Sequence, residues 1–270
     1  MGDARHYLRL YVRLIAARLR GQMQYRVSFA LQVASSFIST FVELLAVFIL
    51  FGTFDDLVGW SVGDVVFLYG VASIAFCLAE LFAGGFDRVS QMVKEGEFDR
   101  VLTRPMPAFL QVLAAELPLR RLGRIVQGVL ALLLAQRWVE IAWTLPKALL
   151  FPVAVVSSAL VFFTAFLIGA AICFWTIESS EIQNIFTYGG VELAGNPIHI
   201  YNRWIQGVFL YIVPLGLTTF YPVLYILGKP DPLGLPGFLP FVAPLAAGLF
   251  FALGLIIWEF GLRHYQSTGS

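Results

Sequence analysis

The chain is dominated by apolar runs that are long enough to cross a lipid bilayer. The clearest run, Ala148–Trp175, contains no charged residue at all, and a helix needs about 20 such residues to span the hydrocarbon core. Hydrophobic residues make up 59% of the chain and charged residues only 13%, whereas soluble domains carry roughly a quarter charged residues. The sequence therefore predicts an all-α polytopic membrane protein.

Six apolar segments are predicted to span the membrane, within a single domain covering residues 1–270. They lie at about 27–51, 65–84, 122–142, 148–175, 205–227 and 239–258. The third is the weakest, because a proline and three arginines between residues 118 and 124 interrupt the apolar pattern at its start. Repeated prolines between Tyr221 and Pro244 prevent one continuous helix there. This connection is expected either to dip into an outer vestibule or to form a rigid exposed loop.

The N-terminal segment, residues 3–24, alternates arginine with apolar residues at helical spacing. Arg5, Arg9, Arg13 and Arg20 share one stripe, as in a helix that lies in the membrane interface with its arginines toward lipid phosphates. The alternative is an amphipathic helix packed on soluble protein. The basic residues persist too far along the chain for a cleavable signal peptide, so no removal is expected.

Positive charge is distributed unevenly between the two sides of the predicted membrane. With the N-terminus inside, the outer segments hold only Arg137, Lys147 and Lys229 of the 18 lysines and arginines. Positive residues near span ends favour the cytoplasmic side. The sequence therefore predicts a multi-pass protein of the inner (cytoplasmic) membrane with both termini in the cytoplasm. Residues 176–203 are predicted to lie on that same inner side.

The longest charged interruption is Phe86–Pro105, which we call the charged segment. The quartet Phe-Asp-Arg-Val occurs in it twice, at 86–89 and 98–101. Apolar residues recur at helical spacing on both sides of Gly96: Phe86, Val89 and Val93 before it, and Phe98, Val101 and Leu102 after it. Gly96 is therefore predicted to hinge two short amphipathic helices outside the bilayer, whose apolar faces would need a partner.

The rest of the sequence offers no catalytic or metal-binding pattern. The three histidines are isolated from one another, and Cys77 and Cys173 fall inside apolar runs. No lysine ends a phosphate-binding loop. A net charge of +1, without a basic patch interleaved with aromatics, gives no support to nucleic-acid binding. We therefore expect no enzyme activity, no metal, no bound cofactor and no nucleic-acid partner for this chain.

Glu43 is the one acidic residue that lies deep inside a predicted span. Ionisable groups inside spans are functional candidates, because burying a charge in hydrocarbon is costly. Two interpretations remain open. Glu43 either lines a substrate path or an inter-helix contact central to transport, or it is a neutral or water-exposed glutamate of no special role.

The run from Gly96 to Pro105 reads Gly-Glu-Phe-Asp-Arg-Val-Leu-Thr-Arg-Pro. It resembles the Gly-x-hydrophobic-Asp-x-x-Leu-x-Arg-Pro signature in the permease subunits of type-2 ATP-binding-cassette (ABC-2) exporters. The C-terminal residues Arg263 to Ser270 are also similar to the tail of one branch of that family. The resemblance extends over essentially the whole chain.

This resemblance implies a membrane subunit that works with separate cytoplasmic ABC ATPase subunits, which bind ATP and Mg. It also implies a dimer with a second copy or a paralogous permease, surrounded by membrane lipid. The predicted function is ATP-driven export of an amphipathic or lipid-like solute. The alternatives are an ion-coupled secondary transporter that uses Glu43, or a membrane scaffold without transport.

In such permeases the loop after the second span is the coupling helix, which seats in a cleft of the ATPase. The resemblance places that role on residues 86–105 and leaves open which Phe-Asp-Arg-Val copy makes the main contact. The implied ATPase-coupling residues are Phe86, Asp87, Arg88, Val89, Val93, Glu97, Phe98, Asp99, Val101, Leu102 and Arg104.

Overall fold

The computed structural model describes residues 26–53, 56–176 and 180–266, together with positions 16, 20, 21 and 24. The interfacial helix predicted at 3–24 lies outside these continuous stretches and stays a prediction. Regular structure in the described part is helical, without strands, which confirms the all-α prediction. Eleven α-helices follow one another in this part: α1 Arg26–Thr53, α2 Val62–Asp87, α3 Val89–Lys94, α4 Phe98–Leu102, α5 Ala108–Leu113, α6 Leu122–Ala135, α7 Leu145–Thr176, α8 Ser180–Ala194, α9 Arg203–Gly207, α10 Tyr221–Leu227 and α11 Ala243–His264.

Four helices among the described residues are long and apolar enough to cross a bilayer unaided, namely α1, α2, α7 and α11. They correspond to the spans predicted at 27–51, 65–84, 148–175 and 239–258. The third predicted span, 122–142, differs, because α6 ends at Ala135 after 14 residues. Such a helix is about 21 Å long, which is short of the roughly 30 Å hydrocarbon core.

Helix α2 is the centre of the bundle and is buried along most of its length. Its start is fixed by a capping box: the Asp64 amide donates to the Ser61 hydroxyl, and the Ser61 amide donates to the Asp64 carboxylate at 2.8 Å, which satisfies two backbone donors. We call the end of the bundle near residues 56–61 the loop end. The opposite end, where α2 runs into the charged segment, is the charged end.

The long helices α7 and α11 run parallel to α2. Near the loop end Phe151 of α7 packs on Phe67 of α2, with ring centroids 6.2 Å apart. At the charged end Trp258 of α11 packs on both Phe86 and Phe174, with centroids 5.3 Å apart in each pair. Helices that begin together at the loop end therefore finish together beneath the charged segment.

Helix α8 changes the predicted topology. Near its start the Gln183 amide donates to Asp87 at the charged end, at 2.7 Å. Beyond its end His199 Nε2 lies 3.4 Å from the Val58 carbonyl oxygen at the loop end, and its ring faces Trp60. Residues 180–199 therefore run the length of α2. The prediction that 176–203 lie on one side is therefore wrong. Polar and charged residues such as Gln183, which is buried, and Glu192, which is exposed, lowered the hydropathy of this pass.

The fifth predicted span, 205–227, is a bent pair of helices and not one span. Its two halves, Arg203–Ile212 and Gly216–Leu227, meet at 79°. A proline, Pro214, stands in the break, where it cannot continue a helical hydrogen-bond ladder. Both ends of the pair lie at the loop end, because His199 precedes it and the Lys229 ammonium that follows it donates to the Gly59 carbonyl oxygen at 3.0 Å.

The bent pair is therefore re-entrant, and α8 takes the place of the fifth pass. Within the described residues the chain runs between the two ends six times, by α1, α2, α7, α8, α11 and the stretch 118–139 that contains α6. Helix α1 begins, and α11 finishes, at the charged end.

Labelling of introduced cysteines tests this arrangement. Lys94→Cys and Arg203→Cys, both at exposed positions, are expected to react with a membrane-impermeant thiol reagent from opposite sides of sealed vesicles. The sequence prediction puts both on one side. The native cysteines are buried, so the unmodified chain serves as the unreactive control. Labelling of both positions from the same side would contradict the end-to-end course of α8.

Candidate functional site

The charged segment folds into two short helices joined at Gly96, as the sequence predicts. Helix α3 ends at Lys94 and α4 begins at Phe98. Gly96 between them has a φ of +69°, a left-handed conformation that glycine adopts without steric cost. The hinge therefore depends on this glycine.

The apolar residues of the charged segment are not exposed, which corrects the expectation that they await a partner. Phe86, Val89 and Phe98 are 0% exposed, and Val93 and Val101 are buried as well. Leu102 is the exception, at 43% exposed. The apolar face that periodicity identified is covered by the chain's own helices. These five buried side chains cannot meet an ATPase without unfolding of the charged end.

Two aromatic clusters bury the phenylalanines. The ring of Phe86 lies 5.2 to 5.5 Å from three others, those of Phe109, Phe163 and Trp258. The ring of Phe98 lies 5.1 Å from those of Phe174 and Tyr265. Aromatic pairs at this spacing add about 0.5–1.5 kcal/mol each beyond the burial of their area. The charged segment is thus fixed to the ends of α7 and α11.

The two Phe-Asp-Arg-Val copies perform the same structural task. In each copy the phenylalanine and the valine are buried. In each copy the aspartate accepts a hydrogen bond from another element: Asp87 from Gln183 at 2.7 Å, and Asp99 from the Tyr265 hydroxyl at 3.0 Å. The arginines, Arg88 and Arg100, are exposed. The repeat therefore marks two anchor points, and the residues directed outward are its arginines.

The outward surface of the charged segment is mainly polar. Arg88 lies 3.6 Å from the Glu116 carboxylate. A groove of about 490 Å³ runs beside α4, and Glu97, Arg100 and Arg104 line it. The other exposed side chains are Gln91, Lys94, Glu95, Leu102, Thr103 and Pro105. Of the predicted coupling residues, Arg88, Glu97, Leu102 and Arg104 are therefore available to a partner.

The Tyr265–Asp99 hydrogen bond predicts a loss of stability at alkaline pH. Burial, followed by the hydrogen bond to the Asp99 carboxylate, raises the pKa of Tyr265 from 10.0 to about 12. The folded state therefore holds this proton more tightly than the unfolded state. The stabilisation is complete below pH 10 and is lost as pH rises toward 12. Thermal unfolding between pH 8 and 11.5 should show a smaller alkaline loss for Tyr265→Phe, and identical pH profiles would contradict this assignment.

Inside the bundle, Glu43 belongs to a polar network between α1, α2 and α6. Its carboxylate accepts from Arg124 at 3.2 Å and from the Tyr69 hydroxyl at 3.3 Å. The amide of Gln127 donates to the same hydroxyl at 3.1 Å. Glu43 thus makes an inter-helix contact, although neither interpretation of the sequence identified Arg124 as its ion-pair partner. The missed signal was that Arg124, counted as a cytoplasmic charge, lies in the first turn of α6.

A second ion pair joins Glu80 of α2 to Arg121 at the start of α6. The Glu80 side chain is only 2% exposed. Arg121 also donates to the Tyr188 hydroxyl of α8 at 3.0 Å. The two arginines thus pair with two acidic side chains, the buried Glu80 and the partly exposed Glu43.

The family comparison bears on this helical bundle and its charged segment. A family model described as an ABC-2 family transporter protein matches residues 37–269. The chain belongs to the ABC-2 transporter family. No match to it is found among the curated proteins or among the solved structures.

Membership makes this ABC-2 protein a multi-pass permease, the membrane component of an ABC transporter. Permeases of this family are typically non-catalytic and associate with ABC ATPases. Among the residues that the structure describes, no three His, Cys, Asp or Glu side chains are grouped to hold a metal ion.

Proposed function

We propose that this chain is the permease subunit of an ATP-driven exporter, which moves an amphipathic or lipid-like solute outward. Its charged segment docks on a cytoplasmic ABC ATPase, and the ATP and Mg are bound there. The permease works as a dimer with a second copy or a paralogue in the inner membrane. Both of its termini then lie on the cytoplasmic side, where the charged end is.

The observation that carries this proposal is a polar surface held rigidly on buried anchors. The exposed side chains of α3 and α4 point away from the bundle, while Phe86 and Phe98 fix the segment to α7 and α11. A force applied to the segment would reach those two helices through packed rings. The Gln183–Asp87 hydrogen bond extends the same connection to α8. The segment is therefore suited to transmit motion from an ATPase.

Charge reversal on the outward surface tests the docking. Arg100→Glu combined with Arg104→Glu is expected to abolish co-purification of the partner ATPase, because both arginines are exposed and line the groove. The matched control is Arg203→Glu, an exposed arginine at the loop end. Both variants should reach the membrane in normal amounts. A normal complex with normal ATP hydrolysis in the double variant would contradict the docking proposal.

The secondary-transporter alternative makes a different forecast for Glu43. In the proposed exporter Glu43→Gln retains substantial ATP-driven transport, since glutamine can still accept from Arg124. Collapse of the proton gradient should not stop transport in vesicles supplied with ATP. Strict dependence on the gradient would favour ion coupling instead.

A further inference from the structure

A pocket of about 320 Å³ opens between α1, α2 and α6, and every side chain that lines it is polar or charged. Glu80 on its wall lies seven residues before the end of α2, about 10 Å inside the helix. The pocket therefore lies within the bundle and not beyond its ends. Polar groups at membrane depth face protein, water or a polar ligand.

The pocket is too large to hold only a single water molecule that bridges two polar groups. A water molecule takes about 30 Å³ of liquid volume, and small-ligand sites begin near 300 Å³. The volume thus suits a small polar group such as a lipid headgroup.

Cationic side chains outnumber carboxylates among the residues that line the pocket. Arg121 and Arg124 both line it, against the single carboxylate of Glu80. A guanidinium has five N–H donors, and the ion pairs with the glutamates occupy only part of each. The hydroxyls of Ser35 and Ser39 add further donors beside them. A wall of this kind is complementary to an anion, and arginine matches phosphate and carboxylate geometry especially well.

The exposed face of α1 divides into a polar half and an apolar half. Positions 28, 32, 35 and 39 are Ser, Gln, Ser and Ser, and the same stripe continues with Val42, Ala46 and Ile49. These positions are exposed. In the most apolar stretch of α1 only 11% of the residues are buried, compared with 78% in α2. The polar half borders the pocket and the apolar half points toward the loop end. This is the order of head and tail in an amphiphile that enters from the charged end.

We infer that the pocket binds the anionic headgroup, a phosphate or carboxylate, of an amphiphile whose tail lies along the apolar half of the α1 stripe. Arg121 and Arg124 hold the anion with the serine hydroxyls of α1. The identification of this amphiphile as the exported solute rests on the proposed function, whereas the binding itself does not.

Photo-crosslinking tests the site directly. The probe is dodecyl phosphate with a diazirine in its tail, added to the full chain and its ATPase in phosphatidylcholine nanodiscs. Wild-type protein should be labelled on α1, and Ser35→Leu, which fills the pocket, should reduce labelling at least tenfold. The matched control is Ala34→Leu, an exposed α1 position outside the pocket, which should stay within twofold of wild type. Equal labelling of Ser35→Leu and wild type would overturn the site.

Two further comparisons separate anion recognition from general affinity for detergent-like molecules. The corresponding dodecyl maltoside probe should label α1 at least tenfold less than the phosphate. The double variant Glu43→Gln/Arg124→Gln, which removes the ion pair without leaving a lone charge, should lose the preference for phosphate. Equal labelling by the two probes would show that the pocket does not recognise the anion, and would overturn the inference. Disulfide formation between Ser35→Cys chains in high yield would show that a second copy covers the stripe, and would also overturn the inference.

The source of the anion is distinguished by competition and by turnover. Phosphatidic acid in the nanodisc should displace the probe if a resident phospholipid fills the pocket, and ATP should release it if the occupant is transported. If the complex hydrolyses ATP but the probe does not label α1, this inference is wrong and the proposed function is unaffected. Normal labelling of a chain that retains no ATPase defeats the proposed function and leaves the pocket standing.

Discussion

Replacing Phe86 or Phe98 by alanine is expected to destabilise the charged end of the protein strongly. Both rings are 0% exposed, and removal of a buried phenylalanine costs about 3–5 kcal/mol. Native domains are stable by only about 5–15 kcal/mol. The double variant is therefore expected to accumulate poorly in the membrane. Had these rings awaited a partner, as the sequence predicted, the double variant would keep its normal abundance.

Thermal unfolding with detection by size-exclusion chromatography checks this result. Each single variant should unfold at a markedly lower temperature than wild type, and the double variant should give little monodisperse protein. Leu102→Ala is the matched control, because Leu102 belongs to the same segment but is 43% exposed. Unchanged unfolding temperatures for the phenylalanine variants would mean that the aromatic clusters do not hold the segment.

The charged segment shows how far sequence periodicity reaches. Apolar spacing and Gly96 were sufficient to predict two short helices and the hinge between them. The same pattern identifies which face of a helix is apolar but not what covers it. The covering residues, such as Phe174 and Trp258, are far away in the chain. An intramolecular and an intermolecular partner therefore give the same signal.

Helix α8 and the bent pair show why span prediction failed locally. Hydropathy measures compatibility with lipid, whereas α8 packs against protein and carries polar residues such as Gln183 and Glu192 among its apolar ones. The bent pair 203–227 is apolar enough to pass the same test, although it returns to the end from which it started. The four long apolar helices were predicted well, because for them length and composition are decisive.

Charge counting also treated Arg121 and Arg124 as cytoplasmic charges near a span end. Arg121 and Arg124 instead turn inward and pair with Glu80 and Glu43. A linear sequence does not show this, because the paired residues are 41 and 81 positions apart. The polar pocket was missed for the same reason, since its wall comes from three separate helices.

Loss of Arg121 is expected to be the most damaging single charge removal in the bundle. Arg121→Met leaves the Glu80 carboxylate without its ion pair in a position where the side chain is only 2% exposed. Removal of one partner from a buried pair costs about 3–5 kcal/mol. The reverse change, Glu80→Met, should lower the stability less. Arg121 is 23% exposed, still donates to the Tyr188 hydroxyl and faces the polar pocket.

The double variant Glu80→Met/Arg121→Met distinguishes the contribution of the ion pair from the cost of leaving one buried charge unpaired. Replacement of a buried pair by apolar residues of similar volume is often neutral or stabilising. The double variant should therefore unfold near the wild-type temperature, while Arg121→Met alone unfolds well below it. Thermal unfolding of the three variants in one detergent gives the comparison. If the two single costs simply added in the double variant, Glu80 and Arg121 would not be coupled, and their pairing inside the bundle would be refuted.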